Sequence, residues 1–114
     1  MIDTRQYRVG NFIQSDGTFF NIDSISDKYI RAGALTVYVP NADNDEIDIP
    51  LTPELLEGVD WQGYKDLYFN SHFCLDKEGH LYYHNDYTGI NIYYIHQLQN
   101  LYFSLTGKEL TIKL

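Results

Sequence analysis

The residues best suited to chemistry in this chain gather in "NSHFCLDKEGHLYYHN", residues 70 to 85. Asp76 and Gly79 match the first and fourth positions of a type I turn, so the stretch reads as a hairpin in which Leu75 opposes Leu81. That register sets His72 across from His84, with Cys74 two residues along on the same face, and two imidazoles with a thiolate suit zinc. No fourth ligand accompanies them, and histidines on a solvated strand face need no metal. His80 and His84, four apart, would chelate on a helix but stand ~13 Å apart on a strand. Cys74 beside either histidine is also the candidate nucleophile with a base. Yet the sequence offers neither a nucleophile elbow nor a helix-end thiolate around it. A metal-dependent enzyme using His72, Cys74 and His84 is therefore the third-ranked expectation. No other catalytic residue and no cofactor is predicted.

Carboxylates form the second candidate group. "DNDEIDIPLTPE" from Asp43 has a superficial likeness to a calcium loop, with Asp45 third and Glu54 twelfth. The sixth position, where such a loop needs glycine, is Asp48, and Pro50 intrudes, which rules out an EF-hand. Asp43, Asp45, Glu46, Asp48, Glu54, Glu57, Asp60 and Asp66 nevertheless make an acidic row that could imitate a phosphate backbone. An acidic inhibitor of a nucleic-acid-binding host defence enzyme, of the anti-CRISPR or anti-restriction kind, is the second-ranked expectation. The competing reading is a solvated, mobile charged loop.

The third group is aromatic. The chain has eleven Tyr, six Phe and one Trp, and twelve of these lie between Trp61 and Phe103. Tyr and Trp favour contact surfaces because each offers a rigid body with a polar tip. Most must be core in a chain this small. A remainder such as Tyr82, Tyr87, Tyr93 or Phe103 would form a protein-binding patch or a subunit interface, so a homo-oligomer is one use of it.

The elements that hold these residues follow from periodicity. "VGNFIQSDGTFFNIDSI" reads as a hairpin turning at Asp16-Gly17, with Ile13 opposite Phe20 and a face of Val9, Ile13, Phe20 and Ile22. "YIRAGALTVYV" adds a strand or two, with Leu35, Val37 and Val39 on one side. The N-terminal half is thus expected to be a bent antiparallel sheet or a small, partly open β-barrel. Thr52 as N-cap, Pro53 and Glu54 start a short helix that Gly58 can end. Over about 93–106, Ile95, Leu98, Leu101, Tyr102 and Leu105 cover roughly 120° of a helix. Gly107 caps it and Leu110, Ile112 and Leu114 alternate in a closing strand. Phe103 projects away from that arc with His96, Gln99 and Asn100, either onto a second layer or into solvent. These four and Tyr82 are the predicted partner-binding residues.

Length bounds the whole. A chain of 114 residues fits a single domain, 1–114, in the α+β class and rich in strands. Its lone cysteine leaves no intramolecular disulfide, and its N-terminal residues lack the pattern of a signal peptide. No run is long and apolar enough to cross a bilayer, so no membrane association is expected. The net charge of −8 repels phosphate backbones, so direct nucleic-acid binding is not expected.

"RVGNFI" at 8 to 13, "IPLTPELLEGVDW" at 49 to 61 and above all "HQLQNLYFSLTGKEL" at 96 to 110 resemble a family of small proteins found in Bacteroidetes and their phages or prophages. In that family the central segment commonly continues as Trp-Leu-Leu and a Gly-Phe pair, from which "ELLEGVDW" departs. The resemblance brings no activity and no catalytic residue. It implies a phage-linked origin, in the cytoplasm of a bacterial host. The first-ranked expectation is accordingly a non-catalytic protein-binding module that acts on a host or virion protein.

Overall fold

The computed structural model describes residues 1–52, 54, 55, 59, 60, 73–76 and 78–112. Pro53, Glu57, Gly58, Trp61, Asp66, His72 and Leu114, all named above, lie outside them. The protein is a small α+β structure dominated by antiparallel strands. It forms two compact units, Met1–Ile49 and Pro50–Leu114.

In the first unit, β1 (Phe12–Ser15) and β2 (Thr18–Asn21) make a hairpin with Ile13 paired to Phe20. Asp16 and Gly17 turn it at φ 50° and 82°, the left-handed pair that a two-residue turn demands. A separate meander follows: β3 (Ser24–Ile25), β4 (Tyr29–Ala32) and β5 (Leu35–Tyr38). The N-terminal strands are thus shared between two small sheets, and among the described residues no barrel closes. Ile13, Ile22, Ile30, Val37 and Val39 fill the core, with Phe20 and Leu35 packed at its edge. Val9 departs from the expectation, being 54% exposed. Asn11 N–H donates to the Arg8 carbonyl (3.0 Å) and Gly10 has φ 96°, as a type II turn requires at its third position. Val9 is the corner of that turn, not part of a strand.

The segment expected to be a mobile acidic loop is partly ordered. It holds a 3-10 turn, Val39–Asn41, and α1 (Asn44–Ile47), a single helical turn with Ile47 buried. Asp43 precedes α1 and Glu46 reaches back to the Asp43 amide (3.3 Å), a capping-box contact. Gln14 on β1 donates to the Glu46 carbonyl (2.9 Å) and secures the turn.

In the second unit, Leu55 N–H donates to Thr52 Oγ1 (3.2 Å), so Thr52 caps the start of a helix there. β6 (Val59–Asp60) pairs with the closing strand β10 (Thr111–Ile112). β7 (Phe73–Leu75), β8 (His80–Tyr83) and β9 (Asp86–Asn91) form a three-stranded sheet, with Leu75 opposite Leu81. α2 (Ile95–Thr106) ends at Gly107, whose φ of 72° is left-handed. Leu98 and Tyr102 join Leu75, Leu81, Ile92 and Leu110 in one buried cluster, flanked by Leu101 and Leu105. The helical stripe and the strand alternation therefore meet as their spacing predicts. Among the described residues no helix is long and apolar enough to cross a membrane.

Gly79, at φ 88°, is the tightest point of the hairpin: a Cβ there would collide with the Ile92 carbonyl. Gly107 faces open space. Gly107→Ala should cost about 1–2 kcal/mol through backbone strain, whereas Gly79→Ala should cost more. Leu98→Ala should cost about 2–5 kcal/mol. Urea titrations followed by circular dichroism give all three values, and equal losses for the two glycines would contradict this packing.

Candidate functional site

With Leu75 and Leu81 committed to the core, strand alternation turns Cys74 and Tyr82 to the opposite face, where they are cross-strand partners. Tyr82 in turn pairs with Tyr87 on β9. The β8–β9 register then slips, and His80 lies opposite Asn91. Thr88 Oγ1 donates to the Leu81 carbonyl (2.8 Å) within this bulge. Here the slip brings His80 beside Tyr87: the ring centroids are 5.5 Å apart and nearly perpendicular, and Tyr82 to Tyr87 is 5.7 Å.

Asp76 anchors the face. Its carboxylate accepts from the Glu78 and His80 amides (both 2.9 Å) and from the Tyr82 hydroxyl (3.2 Å), and it meets His80 Nδ1 at 2.8 Å. Burial alone would raise the Asp76 pKa, but these hydrogen bonds, the His80 amide's foremost, outweigh it and hold the group below its ordinary value. Asp76 is therefore a fixed anion. Tyr82 is pushed the other way by burial and by the Asp76 carboxylate, and it stays a donor. Glu78 Oε2 lies 3.7 Å from His80 Nδ1 with its side chain 80% exposed. Around β9, Tyr87 donates to Asn91 Oδ1 (2.6 Å) and Asn91 Nδ2 to Tyr93 Oη (3.2 Å). Tyr83, Tyr87, Ile90 and Tyr93 are all exposed.

Of the predicted zinc set, Cys74 and His84 are among the described residues. His84 has φ 48° and sits in the β8–β9 turn with Asn85 at φ 70°, so it leaves the strand face on which the expectation placed it. His72 lies outside the described residues. Burial, followed by the nearby Asp76 charge, raises the Cys74 pKa and keeps its thiol protonated, the wrong state for a nucleophile or ligand. Instead, the described side chains with ligand atoms close together are Asp76, Glu78 and His80. The sequence reading gives Asp76 a turn role only. Its position four residues before a strand histidine was the available signal.

The predicted partner face of α2 is divided. His96 and Gln99 are 1% and 2% exposed, against 40% for Phe103; Asn100 is half-buried. His96 and Gln99 cannot touch a partner on this surface. Tyr82 is half-buried within the sheet face. The acidic row is interrupted too. Asp43, Asp45, Glu46 and Glu54 are exposed, but Asp48 is 5% exposed and accepts from the Tyr7 hydroxyl. Burial raises the Asp48 pKa, the Tyr7 hydrogen bond opposes it and nearby Asp45 adds to it. Glu57 lies outside the described residues. Also in the first unit is an open depression of about 330 Å³, lined by Gln14, Leu35, Tyr38, Asn41, Glu46 and Ile47 among others. Glu46 is the one carboxylate lining it and is spent on capping α1.

No known protein family matches the chain, and no curated protein or solved structure matches it. The site is therefore read from its own geometry.

His96 also makes the structure acid-sensitive. It stacks on Tyr94 at 5.8 Å, and burial lowers its pKa from 6.5 to about 4. The unfolded imidazole takes up a proton below about pH 6.5 and the folded one only below about 4. Its contribution is thus fully present above pH 6.5 and falls by about 3 kcal/mol as pH drops to 4. Unfolding measured from pH 7.5 to 4 should show His96→Gln losing that much less stability than the parent chain. Parallel curves would contradict it.

Proposed function

We propose that the chain is a non-catalytic protein-binding module whose contact surface is the open face of the β7–β9 sheet. The observation that carries this reading is the exposure of Tyr87 and Tyr93, joined through Asn91 on the side of β9 turned away from the core cluster. Large exposed aromatic and apolar groups held on a rigid scaffold mark contact surfaces. Of the predicted partner-binding residues Phe103, on α2, is the one that is exposed, with Tyr82 and Asn100 half-buried. The protonated thiol of Cys74 weighs against a nucleophilic enzyme. The resemblance in "HQLQNLYFSLTGKEL" adds a phage or prophage origin and a host or virion protein as partner, met in the bacterial cytoplasm. An acidic inhibitor is the lesser reading, because Asp48 is withdrawn from its acidic row.

Affinity capture from host lysate with mass spectrometry identifies the partner, and the variants then test the surface. Tyr87→Ala with Tyr93→Ala should weaken capture at least tenfold, as contact aromatics typically do. Stability should change by no more than about 0.5 kcal/mol per site. Phe103→Ala should have the smaller effect. Undiminished capture by the double tyrosine variant would remove this face from consideration.

A further inference from the structure

We infer that this face receives a cationic side chain, an arginine or lysine of a basic peptide segment, seated over the Tyr87 ring with its charge toward Glu78 and Asp76. The inference rests on the protein-binding reading above and adds the chemistry of the partner. Its first support is the union of rings and carboxylates in one small area. The Tyr87 ring lies 5.5 Å from the His80 ring and 5.7 Å from the Tyr82 ring by their centroids, and Tyr87 is 51% exposed. A cation within about 6 Å of such a ring is attracted by its negative face, more strongly where a carboxylate shares the charge.

The second support is charge complementarity. Residues 78–107 contain no Lys or Arg. Lys77 is the one Lys or Arg in residues 76–91, against three carboxylates in that stretch, Asp76, Glu78 and Asp86. Of these, Asp76 is held ionised by its amide and hydroxyl donors, and Glu78 has its side chain 80% exposed. The first unit shows the same contact satisfied internally, with the Arg31 guanidinium 5.7 Å from the centre of the exposed Tyr29 ring. The described residues of β7–β9 and their turns include no Lys or Arg, which leaves this face open to a cation from a partner.

The Asp76, Glu78 and His80 group also has the ligand types of a cation site, so the test includes metal alone. Arginine, lysine and glutamate octapeptides and zinc chloride are titrated separately into the full chain, followed by amide chemical shifts and calorimetry. The arginine and lysine peptides should bind, shifting the Glu78, His80 and Tyr87 amides, and the glutamate peptide should not. Tyr87→Leu and Glu78→Gln should each weaken binding about 3- to 30-fold, while Tyr87→Phe keeps it. Shifts spread over the whole acidic surface, binding unchanged in both weakened variants, or zinc binding without peptide binding would each overturn the inference. The captured partner separates the two readings. Loss of capture in the Tyr87 and Tyr93 double variant but not in Glu78→Gln or at raised salt would keep the contact face and discard the cationic ligand. Capture that survives all of them would discard both.

Discussion

One packing constraint orders the second unit. Leu75 and Leu81 are paired across β7 and β8, and both are buried with Leu98 and Tyr102 of α2. Side chains alternate along a strand, so this pair leaves no freedom to its neighbours: Cys74 and Tyr82 must face the other way. A slip of one residue would bury the tyrosine and expose the leucines. The polar and aromatic groups of the open face are thus placed by the core beneath them.

Asp76 converts that placement into a fixed electrostatic arrangement. A carboxylate whose Oδ1 is held by two backbone amides cannot wander, and its Oδ2 engages the His80 ring and the Tyr82 hydroxyl. Gly79 closes the turn in a left-handed conformation beside the Ile92 carbonyl, and the Ile92 amide donates to the Gly79 carbonyl (2.7 Å). The turn is therefore tied to the residue that follows β9. Charge and aromatic surface are locked together by the backbone.

Local and periodic signals were legible in the sequence. The Asp16-Gly17 turn, the Ile13–Phe20 pair, the Leu75–Leu81 register, the Thr52 cap, the α2 stripe and the Gly107 cap all follow from glycine's freedom, side-chain alternation or helical repeat. Features decided by tertiary burial were not. His96 and Gln99 sit outside the leucine arc by angle, yet they are buried, because a 12-residue helix can be covered on more than one side. Asp48 looks like its acidic neighbours until the Tyr7 hydroxyl is found beside it. His84 continues the strand pattern on paper, but the turn into β9 begins there. The Asp43–Glu46 capping spacing was readable and marks α1, which a count of charges passes over.

The central claim is that one side of the β7–β9 sheet is core and the other a solvent-facing aromatic surface. Hydroxyl-radical footprinting of the intact protein, read residue by residue by mass spectrometry, tests it most directly. Tyr87 and Tyr93 should be oxidised rapidly, and Tyr102 and Leu98 should be protected to the level of the core. Oxidation of Tyr102 at the rate of Tyr87, or protection of Tyr87 and Tyr93 in the free protein, would contradict the account.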